Sequence, residues 1–450
     1  MSRRALEIYR RALAAGGGRI SEDGAVFAGM SELEWQARWF AGEFGREWKS
    51  ADGAQIRIED FGRWNREPGP DFVDARIRID GREVRGAIEL DADARDWERH
   101  GHATNPSFRE AALHVFMHEP ERRFFTRTCE NREVAQLRLP ASTGLSQAPS
   151  TPHGAPFETG QMLAILHAAA RHRLDLKARA LHRYAAVHGE NEAWFAALAV
   201  TLGYKRNQTP FLLLAQRAGL RAAAEPKGEA LLFGIAGFLE SPEPPACDRL
   251  VRAYLRALWE HWWSLRAGCE RLILPRTAWL TGGIRPANHP HRRVAALSRI
   301  AAGWQPIRKA LAGSRRDELI ASLESIEHPF WAARFNLRAG LLPRPQALLG
   351  AERIRDIVIN IHHPLAVAKD DSAWGVFLAE KGAAPAAILR TSARRFLGAA
   401  TDIGALLSSA VAQQGLLQLD RDYRAATDPR EFVAALRRLP ADSTLGDPPC

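Results

Sequence analysis

The sequence predicts an α+β protein: an N-terminal mixed sheet flanked by helices, followed by a mostly α-helical region. Three observations predict it. Two-residue alternation of apolar side chains is confined to residues 55–139, as in Gln55-Ile56-Arg57-Ile58-Glu59 and Ala75-Arg76-Ile77-Arg78-Ile79, and that period suits a half-buried strand. Residues 140–156 are rich in Ser, Thr, Gly and Pro, the composition of a connecting loop. Beyond them, apolar residues recur at helical spacing. The expected organisation is therefore a sheet domain over 1–140, a linker over 141–156, a helical domain over 157–345 and a C-terminal helical region over 346–450.

The elements follow in order. Residues 2–15 carry Leu6, Ile8, Tyr9 and Leu13 among arginines and read as an amphipathic helix, broken by Gly16-Gly17-Gly18. Ser31 with Glu34 three positions later forms a capping box for a helix over 32–44, which turns Trp35, Gln36, Trp39 and Phe40 toward a sheet. Glu32 or Gln36 is then placed to reach a site on that sheet, or simply faces solvent. Asp52-Gly53 turns the chain into a meander of three strands, 55–59, 75–79 and about 83–90. Asp80-Gly81 tolerates positive φ and makes the tight hairpin turn. Residues 106–111 read as a short helix or turn, residues 112–118 as a fourth strand and residues 134–139 as a further one.

Helices are expected over 161–184, 192–202, 211–214, 231–239, 255–265, 374–380, 386–397, 405–417 and 430–439. The Trp259, Trp262 and Trp263 stripe reads as core. Ile357 to Pro364 reads as a buried segment ending at a turn, and residues 442–450 as a frayed end.

Chemistry concentrates between Gly62 and His118. Gly69-Pro70 fixes the approach to Asp71, because Pro locks φ and Gly permits unusual backbone angles. Asp71 precedes one strand of the hairpin and Glu89 lies near the end of the other. Glu89 and Asp91 are two apart, so on a strand they share a face. Convergence of Asp71, Glu89 and Asp91 is unfavourable unless a cation, an arginine or a raised pKa offsets the repulsion. Their hard oxygens suit Mg²⁺ or Mn²⁺, the arrangement that phosphodiester hydrolysis uses. The plainer account has Asp71 capping a turn and the other two pairing with Arg78, Arg82, Arg85 or Arg95. His100 and His102 offer metal ligands or a proton relay near neutral pH, or mark a surface turn. Downstream, Arg285-Pro286-Ala287-Asn288-His289-Pro290-His291-Arg292-Arg293 is a basic, rigid loop entering a helix. It reads either as a phosphate grip or as a structural elbow.

Several of these segments carry a resemblance. Gly62-x-x-Asn65, Gly69-Pro70-Asp71-Phe72-x-x-Ala75, Gly86-x-Ile88-Glu89, Asp96-Trp97-x-x-His100-x-His102 and Leu113-His114-Val115 resemble the signature of a bacterial family catalogued as domain of unknown function 2851. Glu32-x-x-x-Gln36-x-x-Trp39, Ile284 to Pro290 and Gln414-Gly415-Leu416 match it as well. The acidic layout of that family is in turn similar to the PD-(D/E)xK nuclease superfamily, which implies a restriction-endonuclease-like sheet presenting Asp and Glu to a divalent metal; this step is analogy. The chain departs from the family pattern at Asp91, where a histidine is usual, and at Ala94, Arg95, Asn105 and Phe108. No lysine occurs between Lys49 and Lys177, so the charge-stabilising role of a nuclease lysine falls to Arg95, His100 or His102.

Composition bounds the rest. The chain of 450 residues carries a net charge of +10 and a pI near 9.9, a balance that favours nucleic acid as partner. With only seven lysines, arginine-rich composition by itself accounts for the same excess. Cys129, Cys247, Cys269 and Cys450 form no CxxC pair and fit a reducing cytoplasm. No apolar run reaches the roughly 20 residues of a membrane span, and the basic start lacks the apolar stretch of a secretory signal. There is no P-loop, dinucleotide fingerprint or GxSxG elbow, so nucleotide cofactors and acyl hydrolysis have no support. The functional expectation is a metal-dependent nuclease-like protein acting on DNA or RNA. Asp71, Glu89 and Asp91 would hold Mg²⁺ or Mn²⁺, His100 and His102 would assist, and Arg95, Arg285, Arg292 and Arg293 would contact nucleic acid. The alternatives are a non-catalytic module that binds nucleic acid or protein through a degenerate site and, third, a hydrolase of small phosphoesters.

Overall fold

Alternation becomes strand as its period dictates. Ile56 and Ile58 of β2 (Gln55–Asp60) and Ile77 of β4 (Phe72–Ile79) are buried, while Arg57, Arg76 and Arg78 between them are exposed. The computed structural model describes residues 3–16, 32–40, 42, 44–50, 52–65, 69–118, 125–139, 157, 159–204, 206–239, 248–282, 284–337, 339–383, 389–390, 392–393, 396 and 403–439. Gly17 and Gly18, the Ser31 cap, the 141–156 linker, most of the 386–397 helix and the 442–450 tail lie outside the described residues.

The other strands are β1 (Glu47–Lys49), β3 (Arg63–Trp64), β5 (Arg82–Asp93), β6 (Ala111–His118) and β7 (Ala135–Arg138). They form one sheet in the order β1-β2-β4-β5-β6-β7, with β3 added to the end of β4. Pairing is antiparallel as far as β5 and parallel from β5 to β6 to β7, so the sheet is mixed as expected. Asp80 and Gly81 both adopt positive φ, 45° and 82°, the geometry that joins β4 to β5 in two residues. Gly86 is required where β6 comes alongside β5. A Cβ there would lie 2.5 Å from the Glu110 carbonyl oxygen and 2.6 Å from the Ala112 Cβ.

The two faces of the sheet have different cover. On one, Ile88 and Leu90 of β5 and Leu113 and Val115 of β6 pack with Trp35 and Trp39 of α2 (Glu32–Phe40). On the other, α3 (Asp96–Arg99) and two 3₁₀ turns, His102–Thr104 and Pro106–Phe108, carry the chain from β5 to β6. Trp97, Phe108, Ala111 and Val134 make a small separate core beneath them.

The helical region is built on α4 (Thr159–His188), followed by Glu190–Leu202 and a series of shorter helices. Helix Ala410–Ala425 packs along α4, closely enough that a Cβ on Gly415 would sit 2.3 Å from the Leu166 carbonyl oxygen. α1 (Arg3–Ala15) packs with α4 and the C-terminal helices: Tyr9 and Leu13 share a core with Leu166, Leu416 and Phe432, and the Tyr9 hydroxyl donates to Asp422 Oδ2 at 2.7 Å. Two expectations change. Trp262 is buried, but Trp263 is 56 % exposed and stacks on Trp259, so the tryptophan stripe is only partly core. Ile357 to Pro364 does not end at a turn: a π-helical turn, Val358–His362, joins helices Ala351–Ile357 and His363–Lys369. Pro364 has no N–H to give, and the wider turn absorbs the missing bond. No described helix is long and apolar enough to cross a membrane.

Candidate metal centre

The centre grows out of strand register. In the parallel β5–β6 pair, Glu89 lies opposite His114, and alternation puts Asp91 on the same face as Glu89. That face is the one roofed by α3, which returns His100 and His102 over the strands. Asp91 is the hub. Its Oδ1 lies 3.3 Å from His100 Nδ1, and its Oδ2 lies 3.2 Å from His114 Nε2 and 3.7 Å from His102 Nδ1. His102 Nδ1 is also 3.6 Å from Glu89 Oε1. Ligand atoms of Asp91, His100 and His102 all fall within 4.8 Å of one another. A tetrahedral ion with bonds of about 2.1 Å sets its ligand atoms about 3.4 Å apart, and the contacts around Asp91 bracket that spacing.

Burial sharpens the point. Asp91, Glu89 and His102 are 5, 7 and 9 % exposed and His114 is fully buried. Asp91 Oδ2, His102 Nδ1 and His114 Nε2 are buried atoms with no hydrogen-bond partner, although they face one another. Buried polar groups are ordinarily satisfied, and leaving one unsatisfied costs about 1–3 kcal/mol. A cation among the three would satisfy all of them. His100, exposed, stands at the solvent side.

The outer groups are arranged to match. His114 Nδ1 lies 2.8 Å from Thr126 Oγ1, which also accepts from Gln136 Nε2 at 2.7 Å. In the tautomer that donates Nδ1–H to Thr126, Nε2 turns a lone pair toward Asp91; metal-binding histidines are commonly fixed in this way. Trp97 wedges the rings, 5.4 Å from His102 and 5.1 Å from His114, while His102 stacks on Phe108 at 4.0 Å. Burial lowers the pKa of His102, against a smaller upward pull from Asp91, so its ring is neutral at pH 7, the state a metal requires.

Asp71 supports this group from the end of β4. Its backbone N–H donates to Glu89 Oε2 at 2.8 Å, Oδ2 accepts from the Leu90 N–H at 3.1 Å, and Oδ1 accepts from Gln36 Nε2 at 2.9 Å. The hairpin does bring Asp71 to Glu89, and Gln36 of α2 reaches Asp71. Both Asp71 oxygens hold hydrogen bonds, and the rings that lie against Asp91 are the imidazoles of His100, His102 and His114. The helical region contributes as well: Arg217 of helix Gln208–Ala218 is lowered to about 10 by burial, with Asp71 pulling it back upward.

The basic residues expected to grip nucleic acid fall in two places, Arg95 beside the sheet and Arg285, Arg292 and Arg293 together in the helical region. Arg95 is exposed and holds Asp93 through Nε and Nη2, which keeps that carboxyl at about 2. Arg285 is exposed, 3.9 Å from Glu352. Arg292 and Arg293 are only 1 and 4 % exposed. Arg292 donates to the carbonyls of Arg334, Gln346 and Ala347, and Arg293 to the Leu348 carbonyl and Asn288 Oδ1. These two are clamps for the loop before helix Ala351–Ile357 and do not present a phosphate grip to a passing strand, because helix Pro290–Ala302 turns them inward. The sequence reading missed His114, Thr126 and Arg217. His114 had a signal: it is the one polar residue within the apolar run Ala111 to Met117.

Residues 32–374 match the family model described as protein of unknown function (DUF2851), and the chain belongs to that family. No curated protein and no solved structure matches it.

Proposed function

We propose that this member of the DUF2851 family is a metal-dependent hydrolase of phosphodiester bonds in nucleic acid. Asp91, His102 and His114 would hold one ion, with His100 at its open side. The observation that carries the reading is the trio of buried atoms without partners: Asp91 Oδ2, His102 Nδ1 and His114 Nε2. Mixed imidazole and carboxylate donors favour Mn²⁺ or Zn²⁺ over Mg²⁺, which prefers oxygen and water. The chemistry such an ion would supply is a lowered pKa for bound water and compensation of charge on a phosphoryl oxygen. Glu89, held by the Asp71 N–H and lying beside His102, orients the attacking water and accepts its proton. His100 faces the incoming phosphate. Nucleic acid as substrate draws on the net charge of +10 and on the resemblance of the acidic layout to PD-(D/E)xK nucleases; it does not draw on a fold match. Burial of Asp91 and Glu89 favours a second reading, a binding module that retains an ion without cleaving.

The test is titration of Mn²⁺, Zn²⁺ and Mg²⁺ into chelator-stripped protein by calorimetry, with cleavage assays on plasmid and single-stranded oligonucleotides. One Mn²⁺ or Zn²⁺ per chain is expected. Asp91→Asn should weaken ion binding by up to the hundredfold expected of Asp91→Ala and lose cleavage, and Glu89→Gln should keep the ion and lose cleavage. Ion binding without cleavage of any nucleic acid leaves the second reading standing, and failure to retain any ion overturns both.

A further inference from the structure

Away from the sheet, the helical region holds a half-open chamber of about 1250 Å³. None of its lining residues belongs to the Asp91 centre. Two of the motifs left without a role above meet there: Asn288 from the Arg285–Pro290 loop and Gln414 from helix Ala410–Ala425. Lys177 and Arg173 of α4 line it from a third side, and Arg353 of helix Ala351–Ile357 from a fourth.

The polar groups of the lining are unbalanced. Among the described residues, seven arginines or lysines face two acids, Glu352 and Asp356. Lys177 Nζ donates to Asn360 Oδ1 at 2.5 Å and to Gln414 Oε1 at 2.9 Å. Arg173 donates to Gln414 Oε1 at 2.9 Å and Gln418 Oε1 at 3.2 Å. Among the described residues both cations therefore touch only neutral amides, with Asp356 and Asp422 acting on them at longer range. Burial and the neighbouring Arg173 push the Lys177 ammonium well below its usual pKa. Arg293 is held at about 9 by burial and by Arg353 and Arg292 beside it. Arg353 does have Asp356, at 2.9 Å, but its Nε and that of Arg293 are buried without partners. The Arg353 guanidinium also lies 4.8 Å from the centre of the Tyr204 ring. Withdrawing cations from water and crowding them together is strongly unfavourable unless an anion compensates.

We propose that this chamber binds a multivalent oxyanion of small-molecule size, bearing phosphate or carboxylate groups, held by Lys177, Arg173 and Arg353. Arginine forks match phosphate and carboxylate geometry, and the volume exceeds what a single inorganic phosphate would fill, since pockets that hold drug-sized ligands run to about 300–1,000 Å³. The inference does not depend on the metal centre.

The test uses the full chain at fixed ionic strength, with tripolyphosphate, ATP and citrate titrated by calorimetry. At least one should bind saturably at one per chain. Tighter binding of ATP than of tripolyphosphate identifies a nucleotide, and preference for citrate a carboxylate ligand. Lys177→Met and Arg353→Gln should each weaken binding tenfold or more, while Asp91→Asn leaves it unchanged. Lys177→Met should also hold or raise the melting temperature of the free protein, an outcome that a merely structural lysine would reverse. Should Lys177→Met fail to fold, Arg353→Gln and Arg173→Gln carry the affinity comparison. Absence of saturable binding for all three probes, or equal affinity in wild type and folded variants, overturns the proposal.

Discussion

The sheet face and the helical chamber solve the same problem with opposite sign. On the sheet, Glu89 and Asp91 are drawn together with imidazoles, and buried acceptors face one another across a gap of ion size. In the chamber, Lys177, Arg173 and Arg293 are drawn together, with buried donors left over. The first is built mostly from partners close in sequence, between Asp71 and Gln136, with Gln36 and Arg217 reaching in from outside that span. The second joins Lys177 to Gln414 across 237 positions. A centre assembled locally on strands keeps its geometry when distant helices shift, whereas a chamber assembled from distant helices depends on all of them.

That contrast can be broken or sharpened by experiment, beginning with acid. In the helical region, burial holds His172 and His362 neutral, each lowered to about 4, and His289 likewise. In the unfolded chain they titrate near 6.5. Between those values the unfolded state holds more protons, so stability falls as pH drops. Asp422, raised to about 6 by burial, opposes this, since its native state binds the extra proton. The net loss from pH 7 to pH 5 should be on the order of 3 kcal/mol, read as a lower urea midpoint, with amide exchange rising first in the helices. Asp91→Ala should cost about a hundredfold in Mn²⁺ affinity, about 2.7 kcal/mol, while tripolyphosphate binding stays intact; loss of both would mean that the two sites are coupled. Thr126→Val should cost about tenfold in Mn²⁺ affinity through the His114 tautomer alone, measured by the same titration. Smallest is Arg95→Ala: it should reduce the slope of log binding constant against log salt by about one on single-stranded DNA, with the urea midpoint unmoved.

Much of the sheet was legible because strand period and turn chemistry are local. Ile56, Ile58 and Ile77 announced their face, Asp80-Gly81 announced its turn, and Glu89 and Asp91 announced a shared side. His114 was not singled out as part of the centre, because its opposition to Glu89 arises from a parallel pairing that no short-range pattern encodes. Arg292 and Arg293 misled for a related reason. A basic run looks the same in sequence whether helix Pro290–Ala302 turns it out to solvent or in toward the carbonyls of Arg334, Gln346, Ala347 and Leu348. The chamber was illegible altogether. Asn288 and Gln414 were both conspicuous, but nothing in either segment says that the other lies across a cavity.

The bond from Tyr9 to Asp422 spans 413 positions, and it sets a timetable for synthesis. At about 5–20 residues per second, α1 leaves the ribosome roughly 20–80 seconds before the helix that buries it exists. Once α4 is made, the apolar stripe with Tyr9 and Leu13 at its centre gains one native partner, but for the rest of that interval its remaining cover is missing. The sheet, whose strands all pair within one early stretch, can be finished long before. A newborn molecule thus carries a completed sheet and a half-sheltered α1, an invitation to chaperone capture that ends only when helix Ala410–Ala425 and Phe432 close over it.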